Sequence, residues 1–153
     1  MKACLRICRE LCRKCIPFIL EHPRTSNIWL LPEVVKLMAT PGFAIVDLDQ
    51  CQFGTKWRKA TRLLLYRIDP FNVERLRKRC HRDRCGNCSK TGKPHLQLRG
   101  TNEKGQSLTA LAGAYPSKLA DDIAFCLVDE VIATWGFNTD HKAGLDSPVC
   151  AGT

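Results

Sequence analysis

Apolar and polar positions along this chain change period several times, and each change marks an element. From Met1 to Cys15, the residues Cys4, Leu5, Ile7, Cys8, Leu11, Cys12 and Cys15 recur at helical spacing. Lys2, Arg6, Arg9, Glu10, Arg13 and Lys14 fill the opposite arc, so the stretch predicts an amphipathic helix that packs on a core. Ile16–Leu20 predicts a strand that delivers Glu21-His22-Pro23 to its carboxyl end, where open α/β sheets place ligand chemistry. A polar loop follows, then a short helix over Leu31–Met38 with Pro32 in its first turn, where a missing N–H does no harm.

The pattern is densest from Phe43 to Tyr66. Phe43–Leu48 is a short apolar run rich in Ile and Val, and Leu63–Tyr66 is a second; both predict buried strands. Between them lies a polar loop in which Gly54 permits a turn or a close approach. Trp57, Arg58, Lys59 and Arg62 then set a flat ring beside fixed positive charge, a combination suited to a phosphate-bearing partner. Downstream, Asn72 caps a predicted helix over Asn72–Arg79, and Pro94–Leu98 reads as a strand. Ser117 opens a long helix over Lys118–Thr134 that turns Leu119, Ala120, Ile123, Ala124, Leu127 and Val131 inward, and Gly136 stops it. Residues 1–136 thus form one α/β domain and 137–153 a polar, flexible tail.

Composition sharpens the partner. The net charge is +9, which favours an anionic partner, nucleic acid before a membrane surface. No run approaches the roughly 18 apolar residues needed to span a bilayer. Ten cysteines occur without a secretory signal before them, because Arg6, Arg9, Arg13 and Lys14 interrupt the first apolar stretch. The expectation is a reducing nuclear or cytoplasmic compartment, with cysteines as buried thiols or metal ligands rather than disulfides. P-loop, GxGxxG and serine-hydrolase motifs are all missing.

One segment has the donors for zinc, which takes about four N or S ligands in a tetrahedron. Cys85-Gly86-Asn87-Cys88 supplies two from one tight turn, and Cys80 with His95 or His81 completes the set. The stretch 80–95 is a zinc-knuckle insertion on this reading, or reduced cysteines around a turn on the other. A basic run through Arg75, Arg77, Lys78, Arg79, Arg82 and Arg84 borders it. A non-enzymatic, zinc-stabilised nucleic-acid-binding module follows from the first of these.

Three elements in order carry a family resemblance. They are a strand ending in Glu21-His22-Pro23, then Gln52-Phe53-Gly54-Thr55-Lys56-Trp57-Arg58-Lys59-Ala60-Thr61-Arg62, then Ala114-Tyr115-Pro116-Ser117-Lys118-Leu119-Ala120 leading into a helix. Over residues 16–135 the chain resembles the C-terminal half of a DNA cytosine-5 methyltransferase, in the manner of divergent viral or mobile-element relatives. The resemblance implies a partial Rossmann-like sheet with flanking helices. It implies that Glu21 contacts a flipped cytosine. Arg58 and Lys59, with Trp57 and Arg62 beside them, would steady base and backbone. Tyr115 and Pro116 would border an S-adenosylmethionine pocket.

Departures accompany the match. The family's Asn is His22, a Gln is replaced by Trp57, and two spaced Arg positions are Lys59 and Thr61. A glycine-rich cofactor loop and a Pro-Cys nucleophile upstream of Glu21 are missing, so methyl transfer has no covalent route. The resemblance therefore implies a fragment inactive alone, a partner for DNA, and a need for an N-terminal half or split subunit.

Overall fold

The computed structural model describes residues 2–136. Its helices are α1 (Lys2–Arg13), α2 (Pro32–Met38), α3 (Pro70–Leu76), α4 (Leu108–Leu111) and α5 (Ser117–Trp135). Its strands are β1 (Phe18–Pro23), β2 (Phe43–Asp49) and β3 (Ala60–Tyr66). The polar tail expected over 137–153 lies outside the described residues.

The three strands form one sheet in the order β1-β3-β2, antiparallel at both interfaces. The mixed α/β class holds, but a Rossmann-like parallel sheet is not what these strands build. Residues 50–59 turn the chain straight back after β2, so β3 must run against it. Leu63, Leu64 and Leu65 are fully buried, so β3 has apolar side chains on both faces and takes the centre. Both neighbours of β3 oppose it, so β1 and β2 run parallel to each other, linked by a crossover through α2.

Alternation along the strands sorts the core into two layers. On one face Val46, Leu48, Leu63 and Leu65 pack with Val73 and Leu76 of α3 and Leu119 and Cys126 of α5. On the other, Leu64 meets Ile28, Trp29 and Val34, while Phe18, Tyr66 and Cys8 form a cluster under α1. The cysteine stripe of α1 thus serves packing, and burial pushes the Cys8 thiol up to about 11, helped by Cys4.

Several boundaries moved. Glu21, His22 and Pro23 lie inside β1, opposite Leu63, Arg62 and Thr61, rather than beyond its end. Pro23 is tolerated because β1 is an edge strand. α3 starts earlier than expected because Asp69 is its cap, accepting a hydrogen bond from the Phe71 N–H at 2.7 Å. Asn72 is buried instead and donates to Asp129 at 2.7 Å. That bond, with Arg75 and Lys78 donating to Asp122, turns α5 toward α3. Asp122 and Cys126 therefore face inward with Leu119, and Ala120 and Ala124 stay exposed. Pro94–Leu98 is not a strand. No helix among the described residues is long and apolar enough to cross a membrane.

Candidate metal centre

The C-terminal end of β2 organises the site. β2 finishes at Asp49, and Gln50–Phe53 winds at once into a 3-10 turn closed by Gly54 at φ 103°. The turn buries Cys51 completely. The Asp49 N–H donates to the Lys78 carbonyl at 2.9 Å, laying the segment after α3 alongside. Asp49 is itself fully buried, and its carboxylate accepts the Cys80 N–H at 2.9 Å. Arg58 donates to it through Nε at 3.0 Å and Nη2 at 3.3 Å, and Arg79 through Nε at 3.3 Å. A buried carboxylate needs such partners, and here they also hold a cysteine in place.

Cys51, Cys80, Cys88 and His95 meet there, their ligand atoms all within 4.8 Å of one another. Cys80 Sγ lies 3.8 Å from Cys88 Sγ and 3.6 Å from His95 Nε2. Zinc bonds of ordinary length in a tetrahedron place two sulfurs about 3.8 Å apart and a sulfur and nitrogen about 3.6 Å apart. The two measured edges fit. Three cysteines and one histidine are also a donor set zinc accepts, and they leave no open position.

The thiols differ electrostatically. Burial pushes Cys51 up to about 12, against a lowering hydrogen bond from the Gln52 amide. Burial also raises Cys88, but the backbone N–H groups of Lys90 and Thr91, the Thr91 side chain and Cys80 outweigh it and bring Cys88 down to about 6. Amides aimed at a sulfur favour the thiolate, the form that ligates metal. His95 Nδ1 is buried without a hydrogen-bond partner, so only Nε2 has a defined contact.

Three of the four residues expected from the sequence, Cys80, Cys88 and His95, lie in the cluster. Cys85 is exposed and stands outside the cluster. Asp83 accepts the Asn87 N–H at 2.7 Å and Gly86 turns at φ 82°, a local loop that leaves Cys85 in solvent. Cys51 takes its place from 29 residues before Cys80. The signal for it was a cysteine directly after a core strand. Cys15 is disulfide-bonded, against the expectation of thiols throughout.

The remaining expected site residues fall in two places. Trp57 Nε1 donates to Gln50 Oε1 at 3.3 Å, at the turn that carries Cys51. Arg58 is committed to Asp49, and Arg62 to Asp47 through Nε at 2.7 Å and Nη2 at 3.0 Å. Lys59 Nζ donates to the Ala112 carbonyl at 2.8 Å, just before α5. Glu21 and Tyr115 line one apolar pocket of about 370 Å³ with Ile19, Ile123 and Leu127. Burial, then a hydrogen bond with Glu21, pushes the Tyr115 phenol up. Pro116 opens α5, its carbonyl accepting the Leu119 and Ala120 N–H groups. Glu21 and Tyr115 thus share a pocket, while Lys59 reaches the backbone three residues before Tyr115.

Charge is concentrated along the segment that carries Cys80, Cys88 and His95. Residues 77–104 carry nine Lys and Arg against two acids, most of the chain's +9. No family model matches the chain, and no curated protein or solved structure matches it either.

Proposed function

We propose that this chain is a nucleic-acid-binding module stabilised by a structural zinc ion and not itself an enzyme. The observation that carries the reading is the convergence within 4.8 Å of Cys51 with Cys80, Cys88 and His95, the last three of which lie in the most basic segment. A closed four-ligand set supplies folding energy rather than a reactive water. The ion would fasten residues 80–95, which have no helix or strand of their own, to the end of β2. The surplus of cations on that segment would then meet phosphate. Two measurements test this together. Metal analysis of purified protein should find one tightly held zinc per chain, and DNA binding should weaken steeply as salt rises. A metal-free folded protein, or binding indifferent to salt, overturns the reading.

A second reading, a fragment resembling a DNA cytosine-5 methyltransferase, has its own support. The Glu21 carboxylate and Tyr115 line one pocket, and Lys59 donates to the Ala112 carbonyl three residues before Tyr115, a grouping compatible with that resemblance. The β1–α2–β2 crossover is also the connection α/β sheets use. On this reading the isolated chain binds S-adenosylmethionine weakly or not at all, having no glycine-rich loop before Glu21. Calorimetry with S-adenosylmethionine checks it, and micromolar binding by the chain alone would contradict it.

A further inference from the structure

Beside the metal cluster lies a concave groove of about 720 Å³. One wall is residues 54–56 and the other residues 91–96, joined where the Leu96 N–H donates to the Lys56 carbonyl at 2.8 Å. We infer that this groove seats a single-stranded nucleic acid, with Lys56 and Lys93 on its phosphates; the inference rests on the nucleic-acid reading above.

Three observations lead there. First, the cations nearby divide into spent and unspent. Arg58, Arg62 and Arg79 are held in ion pairs with Asp47 and Asp49. Lys56 and Lys93 are exposed, and no ion pair among the described residues includes them. No acid lines the groove. Second, Pro94 is exposed and Leu96 is 42% exposed, so the wall between the lysines offers apolar surface to the face of a base. Third, residues 77–107 contain no helix or strand beyond an isolated bridge between Thr101 and Ser107. Major-groove reading needs a helix or a β-ribbon to enter the duplex, and this lobe presents neither. Proteins hold single strands with a positively charged groove and flat side chains for the bases, and here Pro94 and Leu96 supply the apolar contact surface. His95 lines the groove and also turns Nε2 to the metal cluster, so metal loading and the shape of the groove are coupled.

The test uses the zinc-loaded protein, a fluorescent oligothymidylate and a mixed-sequence duplex of the same length, with anisotropy read across a salt series. The single strand should bind more tightly than the duplex. Lys56→Ala with Lys93→Ala should weaken single-strand binding about tenfold and make the log–log salt slope shallower by about 1.4, the share of two phosphate contacts. Zinc content should stay at the wild-type level, showing that the variant folds. Arg9→Ala with Lys36→Ala, on α1 and α2, should change neither affinity nor slope. If the groove variant binds like wild type, or the duplex binds as tightly as the single strand, this inference falls while the wider reading stands. If the zinc-loaded wild type binds neither form, both fall.

Discussion

Asp49 and Cys51 are two residues apart and both fully buried, and together they show how a candidate ligand set forms without a motif. A carboxylate with no water around it must be surrounded by donors. Three of those donors, from Arg58, Arg79 and the Cys80 N–H, come from segments on either side of the site. Satisfying Asp49 therefore brings Cys80 to Cys51. The CxxC spacing pointed instead to Cys85, which the Asp83–Asn87 loop holds in solvent. The two assignments separate in a direct experiment. Cys51→Ser should lower zinc affinity by at least about a hundredfold, because changes outside the ligand set alone cost about 10–100-fold. Cys85→Ser should leave it unchanged. Competition with a chromophoric chelator measures both, and the opposite order would restore the sequence-based quartet.

At the scale of elements, each strand does more than its hydrophobic pattern requires. β3 is central because its apolar run has no polar face to give to solvent. Within β2, Asp47 stands opposite Arg62 in the ladder, and the pair closes with two hydrogen bonds. Arg62 also lies 5.7 Å from the centre of the Trp29 ring, tying the sheet to the turn before α2. The hydrogen bond from Arg62, against some burial, holds the Asp47 carboxyl below its ordinary range. A depressed folded value means that the pair's stabilisation is fully present above the unfolded value of about 3.9 and fades as pH falls through the folded one. Asp47→Asn should therefore cost about 1 kcal/mol near neutral pH, the upper end for a cross-strand pair. Urea titrations should show the gap between wild type and variant closing in strong acid. A gap that persists there would mean that Asp47 acts through packing rather than charge.

Across the whole molecule, a small sheet covered on both faces carries a lobe, residues 77–107, that has almost no regular structure. Its buried residues include Cys80 and Cys88, which pack with Cys51 and little else. Such a lobe has too little apolar area to order itself, so the metal is expected to be its main fastening. Chelation should lower the melting temperature by roughly 10 °C or more, since structural zinc supplies several kcal/mol. It should also open proteolytic sites between Arg77 and Ser107 before any in the sheet. Uniform digestion of apo and loaded protein would show the lobe to be self-supporting. Much of this was readable without coordinates. The strands at Phe43 and Leu63, the helices α1, α2, α3 and α5 and the cysteine–histidine segment follow from periods and residue types set by local backbone geometry. The sequence alone also held three of the four candidate ligands. Strand direction, the central place of β3, the inward turn of Asp122 and the recruitment of Cys51 did not follow from it. Each depends on contacts between residues far apart in the chain, and buried charges such as Asp49 and Asp122 are satisfied only when those segments meet.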